Sequence, residues 1–151
     1  MTRWARGETE IAELVKTGRL QQVTGGQADG TALLDKARRV ADSAAALVDS
    51  DPDSAYVLAY DAARHAGTAL LTHQGLRPTS KGGHYALDLS LRAQFGTGFR
   101  AFSTLRRRRN ELEYPSMPSD AATTAEAEAA VQDARAVIDS ASQLLPGLAI
   151  W

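Results

Sequence analysis

Apolar residues in this chain return at three- and four-residue steps and almost never alternate, so the pattern predicts helices. A short helix over 8–16 carries Ile11, Leu14 and Val15, and Gly18 can end it. The run 23–30, Val-Thr-Gly-Gly-Gln-Ala-Asp-Gly, reads as a flexible connection. A second helix, about 31–49, has Leu33, Leu34, Ala37, Val40, Ala41, Ala44, Leu47 and Val48 in one stripe, with Thr31 placed to cap it. Ser50-Asp51-Pro52-Asp53 stops that helix and starts a third, about 52–74, with Asp51 as cap and Pro52 in the first turn. Tyr56, Val57, Tyr60, Ala63, Gly67, Leu70 and Leu71 lie along one side of it. The small residues Ala63, Ala66 and Gly67 allow a neighbouring helix to approach closely. Gly75 closes this helix.

A fourth helix, about 84–94, presents Leu87, Leu91 and Phe95 before Gly96-Thr97-Gly98 interrupts it. The fifth covers about 98–113, and Pro115 disfavours helical geometry at Tyr114. The last, about 118–145, runs from a cap at Ser119 or Asp120 to Pro146-Gly147. No alternating stretch is long enough to predict a strand. The expected fold is all-α, an antiparallel four-helix-type bundle with additional short helices. Residues 1–30 would form the short helix and connection, 31–145 the bundle, and 146–151 an apolar tail.

One helix departs from the amphipathic norm. Residues 105–115 read LRRRRNELEYP. At about 100° per residue, Arg109 falls between Leu105 and Leu112 on the apolar face, while Arg106, Asn110 and Tyr114 form a polar row at four-residue steps. A guanidinium on a core-facing seam is costly unless paired or hydrogen-bonded. Either Glu113, one turn on, neutralises Arg109, or the seam is wet and used. Arg107 can likewise reach Glu111. Tyr114 either packs at the helix end or belongs to the same polar site.

With 151 residues and 44% hydrophobic content, one domain with a sizeable core is expected. Mean hydropathy is −0.27, and no run approaches the roughly 18–20 apolar residues that span a bilayer, so no membrane partner is expected. The first ten residues lack the apolar segment of a secretory signal, and the absence of cysteine fits a reducing cytoplasm. The net charge of −1 excludes a uniformly basic nucleic-acid binder. The charge is uneven, however. Of 17 basic residues only Lys16, Lys36 and Lys81 are lysine, and arginines gather at 100–109. A GC-rich coding sequence accounts for that, and so does recognition of phosphate or carboxylate. His65 and His73 stand two turns apart and His84 lies beyond a loop, so no metal-ligand spacing exists. The phosphate-loop pattern is absent, and no cofactor is expected.

Arg109-Asn110 followed by Glu-x-Glu-Tyr-Pro, at the end of the penultimate helix, resembles the signature of the HEPN superfamily. There an arginine, commonly followed by Asn, Asp or His, precedes a histidine by four to six residues. The segment from Tyr60 through His84-Tyr-Ala-Leu is also similar to bacterial HEPN domains, so the resemblance spans about 31–145. It implies a helical bundle that pairs with itself, the motifs of two subunits meeting in a cleft. It also implies RNA as ligand, cut weakly without a metal in a toxin–antitoxin, stress or phage-defence setting, with a nucleotidyltransferase antitoxin as a further partner. Arg109, Asn110 and Tyr114 would then be catalytic, and Arg106, Arg107 and His84 would contact RNA. Tyr114 stands where the family has histidine. With a reference pKa of about 10, tyrosine is a poor base at neutral pH, though it can donate a proton. Five helical steps also place Arg109 and Tyr114 about 140° apart. Its hydroxyl is in addition a candidate for nucleotide attachment. The alternative implied by the same resemblance is a non-catalytic dimerisation or protein-interaction module.

Overall fold

The computed structural model describes residues 3–151, apart from the Thr97 side chain. The first two residues of the amino-terminal segment read above lie outside it. Six α-helices carry the fold: α1 (Glu8–Lys16), α2 (Thr31–Leu47), α3 (Pro52–His73), α4 (Gly83–Phe95), α5 (Arg100–Glu113) and α6 (Thr124–Leu144). Short 3-10 turns at Gly25–Ala28, Gly96–Phe99, Pro118–Asp120 and Leu145–Gly147 join or end them.

Helix α3 is the central column. It buries Ala55, Tyr56, Ala59, Tyr60, Ala62, Ala63, Ala66, Gly67, Ala69, Leu70 and Leu71, so it is apolar around most of its circumference. A helix of that kind must be surrounded. It packs most extensively on α2 and α6, and on its other side it meets α5 and α4. The α2 and α6 faces that meet it are rich in alanine: Ala37, Ala41 and Ala44 on one, Ala127, Ala130, Ala134 and Ala141 on the other. At Gly67 the side chains of α4 come close to the α3 backbone. A Cβ built there would stand 2.5 Å from the Leu91 Cδ1.

Asp51 caps α3 as the sequence predicts, accepting from the Ser54 N–H at 3.2 Å. Gly75, at φ +75°, reverses the chain after α3.

Four local expectations are corrected. Two three-residue strands exist, β1 (Leu20–Gln22) and β2 (Leu76–Pro78), paired antiparallel with Gln21 opposite Arg77. They are too short for an alternating pattern to show. What makes them is the burial of Leu20 and Leu76 and flanking backbone bonds from Val23 to Gly75 and from Thr79 to Arg19. Thr31 is the first residue of α2, not its cap. Gly30 holds the cap position, and the Asp29 carboxylate accepts from the Thr31 N–H at 2.9 Å. The 23–30 connection contains the Gly25–Ala28 turn and is tied down where the Gly30 N–H donates to His73 Nδ1. Helix α6 starts at Thr124, later than expected, with Thr123 as its cap accepting from Glu126. Asp120 instead takes the N–H groups of Ser116 and Met117, which stabilises the preceding 3-10 turn.

The chain ends fold onto the same body. Helix α1 packs against α4. At the other end Leu148 is buried and the Trp151 N–H donates to the Gln74 carbonyl. No helix among the described residues is long and apolar enough to cross a membrane.

Candidate functional site: an arginine cluster around a tyrosine–histidine pair

Because α5 turns by about 100° per residue, its four consecutive arginines leave in four directions. Arg108 faces α6. Its guanidinium donates to both Glu126 oxygens at 2.9–3.2 Å, to Glu111 at 3.0 Å and to the Asp120 carbonyl at 2.9 Å. It is fully engaged and holds α5 to α6. Arg107 is exposed and lines an open concavity of about 510 Å³ with Arg92, Arg100, Ser103 and Thr104. The expected pairing of Arg107 with Glu111 does not form; Arg108, one position on, takes that glutamate.

Arg106 and Arg109 turn towards α3 and α4. Arg106 lies 3.6 Å from Asp88 of α4, a buried carboxylate that also accepts from Ser103 Oγ at 2.6 Å. Arg109 is half-buried, its Cζ 5.9 Å from the Tyr60 ring centroid. It makes no ion pair with Glu113 among the described residues. Its one side-chain hydrogen bond there is a 3.3 Å contact with the amide oxygen of Asn110. Of the two outcomes left open for this guanidinium, neutralisation by Glu113 is therefore the one not observed.

Tyr60 is fully buried, and its hydroxyl meets His84 Nδ1 at 2.7 Å. His84 sits in the first turn of α4, delivered across the core from Tyr60 by the 74–83 connection. The charged groups facing this pair come from two helices. Arg64 and Asp61, 3.6 Å apart, belong to α3, and Arg106 and Arg109 to α5. Burial pushes the Tyr60 hydroxyl up to about 12, the nearby guanidiniums opposing. Burial, then Arg64, Arg109 and Arg106, pull the His84 imidazole below its ordinary value, with Asp61 opposing. The α4 amino terminus adds positive potential in the same direction. Both shifts favour the uncharged forms, protonated Tyr60 and neutral His84.

The guanidiniums of this cluster are under-satisfied. The Nε atoms of Arg64, Arg106 and Arg109 are all buried and have no hydrogen-bond partner, and Asp88 Oδ1 likewise has none. Buried donors without acceptors cost on the order of 1–3 kcal/mol each. Arg64 Nε still faces the Asp61 carboxylate at 3.6 Å and Arg106 has Asp88 at 3.6 Å, so of the three it is Arg109 that has no acid beside it among the described residues. Beside Arg64 and His84 the surface opens into a concavity of about 340 Å³ that Arg77, Thr79 and Ser80 also line.

The structure thus brings together Arg106, Arg109 and His84 from the residues the sequence singled out. It does not bring in Tyr114. That residue follows the last helical turn of α5 at φ −129°, ψ 64°, is 78% exposed and has no side-chain partner among the described residues. It does not pack on the helix end. Asn110 is exposed and Arg107 points into the other concavity. Sequence reasoning missed Arg64, Asp88 and the role of Tyr60. Arg64 lies one turn from Tyr60 on the best-patterned helix, which was the available signal. No group of three or more His, Asp or Glu side chains among the described residues could hold a metal ion.

In comparison with known proteins, the chain matches no family model, no curated protein and no solved structure.

Proposed function

We propose that the chain binds RNA through the Arg64, Arg106 and Arg109 cluster and cuts it without a metal ion. The observation that carries this reading is the gathering of three guanidiniums, Arg64, Arg106 and Arg109, around the Tyr60–His84 pair, with no acid beside Arg109 among the described residues. A phosphodiester offers such a cluster an anion with two non-bridging oxygens. Guanidinium forks match those oxygens in plane and in charge. In a cleft partly shielded from water they also stabilise the extra negative charge of a pentacoordinate phosphorus. With a net charge of −1 for the whole chain, attraction to a polyanion has to come from local arginine clusters such as this one, and Arg92, Arg100 and Arg107 line a second concavity. In this reading the helices are an antiparallel HEPN-like bundle that works as a homodimer, serving as a toxin or defence nuclease held in check by a nucleotidyltransferase antitoxin.

The test is incubation of purified wild type and Arg109→Ala with total RNA in the presence of EDTA. Metal-independent cutting by the wild type, lost in the variant, is the expected result. Equal background in both removes the nuclease.

A second reading, a non-catalytic interaction module, is favoured by one observation. Tyr114 and Met117, at 78% and 61% exposure, present two large side chains at one end of the fold. Under that reading Tyr114→Ala with Met117→Ala weakens self-association in sedimentation velocity, and Arg109→Ala leaves RNA untouched.

A further inference from the structure

The concavity of about 510 Å³ is lined by Arg92 near the end of α4 and by Arg100, Ser103, Thr104 and Arg107 of α5. The four α5 residues stand at i, i+3, i+4 and i+7, so they share one face of that helix. Gly96 lines the concavity too, and Arg6, from the segment before α1, brings a fourth guanidinium against it. A Cβ added at Gly96 would stand 2.6 Å from the Arg6 Nη2. No acid is among the lining residues. The acids within reach are engaged elsewhere. Glu111, one turn from Arg107, pairs with Arg108. Asp88 lies 3.9 Å from Arg92, but it is buried, accepts from Ser103 and faces Arg106 at 3.6 Å. Arg100 and Arg107 enter no ion pair among the described residues. Like charges gathered on one space raise its potential and draw in an anion that fits it.

We propose that this concavity binds a linked oligophosphate, either the tail of a nucleoside triphosphate or a short inorganic polyphosphate. Guanidinium forks match phosphoryl oxygens in plane and in charge. Arg100 and Arg107 leave α5 about 10 Å apart along its axis, and Arg92 and Arg6 come from other segments. Linked phosphates meet such separated forks together, whereas a single phosphate meets fewer of them. A nucleic-acid strand carries one charge per nucleotide with a ribose in between. An oligophosphate carries charge on every phosphorus without a spacer, which suits a compact concavity better. No aromatic side chain is among the lining residues, so nothing there stacks on a base and the phosphates are what is read. No lining carboxylate is present to share a divalent cation, so the guanidiniums neutralise the phosphates directly. The site is separate from the one proposed for RNA. Arg100 and Arg107 project about 180–200° around α5 from Arg109, and neither site needs the other.

The experiment is isothermal titration calorimetry on the full-length protein at fixed ionic strength with EDTA. The probes are tripolyphosphate, ATP, GTP, inorganic phosphate and a single-stranded oligoribonucleotide. The variants are Arg100→Gln, Arg107→Gln, their double and Arg109→Ala. Both Arg100 and Arg107 are exposed, and thermal melts check that each variant folds. One tripolyphosphate is expected per chain, with ATP and GTP within about threefold of each other and inorganic phosphate at least about tenfold weaker. Each glutamine substitution weakens tripolyphosphate on the order of tenfold, the loss of a charge-assisted hydrogen bond. The double variant loses more, and Arg109→Ala stays within about twofold of wild type. Replacing EDTA with Mg²⁺ weakens binding, because the cation competes with the guanidiniums for the same oxygens. Equal affinity for the two nucleotides and for tripolyphosphate identifies the phosphate chain as the ligand; tighter binding of one nucleotide identifies that nucleotide as its source.

The proposal is overturned if wild type does not bind tripolyphosphate, or if the double variant binds it as wild type does. It is overturned equally if Arg109→Ala is the variant that loses it, since the anion then sits in the other cluster. An oligoribonucleotide that binds more tightly than tripolyphosphate and is lost in the double variant makes this concavity a nucleic-acid face instead. None of these outcomes decides whether RNA is cut, which the comparison of wild type with Arg109→Ala reads by itself.

Discussion

Asp88→Asn is the most direct test of how this site is held together. Asp88 has a side-chain exposure of 4%, and its carboxylate is the one acid within reach of Arg106 among the described residues. The substitution keeps the shape and removes the charge. Three interactions change. The 2.6 Å bond from Ser103 Oγ falls from a charge-assisted to a neutral hydrogen bond, a loss of about 1 kcal/mol. Arg92, 3.9 Å away and mostly exposed, contributes close to nothing after screening. Arg106, at 3.6 Å and 25% exposed, matters more. At an effective dielectric of ~20 its gross attraction is about 4–5 kcal/mol, most of it offset by desolvation, which leaves roughly 1–2 kcal/mol net. The sum is about 2–3 kcal/mol, or a fall in Tm of roughly 5–10 °C for a domain of this size. Chemical denaturation of wild type, Asp88→Asn, Arg106→Gln and the double variant closes a mutant cycle. The expected coupling is about 1–2 kcal/mol. Additivity within ~0.3 kcal/mol would refute the reasoning, because Arg106 would then not be held by Asp88.

Three further outcomes follow from the packing. Gly67→Val places branched carbon against Leu91, 2.5 Å from the first added atom, and should destabilise by about 1–3 kcal/mol, read as a lower denaturation midpoint with unchanged m-value. Arg108→Ala removes the link between α5 and α6, and should lower Tm by several degrees while leaving any RNA cutting at the wild-type level at 25 °C; Arg109→Ala should do the reverse. Asp51 is held below the usual carboxylate value by its hydrogen bonds to Ser54, so its cap stabilises above the unfolded pKa and is lost as pH falls through the folded one. Asp51→Asn should therefore flatten the acid limb of Tm against pH below about pH 4, where wild type loses this contribution. A wild-type limb already as flat as the variant's would remove the linkage.

The helices were legible because each buries a stripe that recurs at the helical period, and because Pro52, Gly75 and Pro115 punctuate where the backbone requires it. The two strands were not legible. Each is three residues long, and each exists because a leucine enters the core beside the other. The late start of α6 was missed for a related reason: Thr123 and Asp120 are both competent caps, and only their hydrogen bonds show that one opens a helix while the other closes a turn. Of the site, the half on α5 was visible as a polar run interrupting an apolar phase. The other half is spread over residues 60–88 and is assembled by packing. Asp88 sits between Leu87 and Leu89 and reads as the polar side of an amphipathic helix until Arg106 and Ser103 are seen above it.

The run Arg106–Arg109 is best understood as four separate residues. A charged run in a solvated helix would exchange partners freely, and each member would tolerate lysine. Here each guanidinium has a different surrounding. Arg108 spends its donors on α6 and on the Asp120 carbonyl, Arg106 rests on a buried carboxylate, Arg107 stays in solvent, and Arg109 lies over an aromatic ring with its Nε unpaired. Neutralising charge requires only positive ions near negative ones. Keeping a half-buried guanidinium without an acid, beside two neighbours that each have one, requires something else to offset the desolvation of its donors. Arg108 and Arg106 fix α5 against α6 and α4, and that rigidity is what can hold Arg109 in place without an acid of its own. On the proposed RNA-binding reading, the anion that completes Arg109 comes from outside the chain, where α3, α4 and α5 meet.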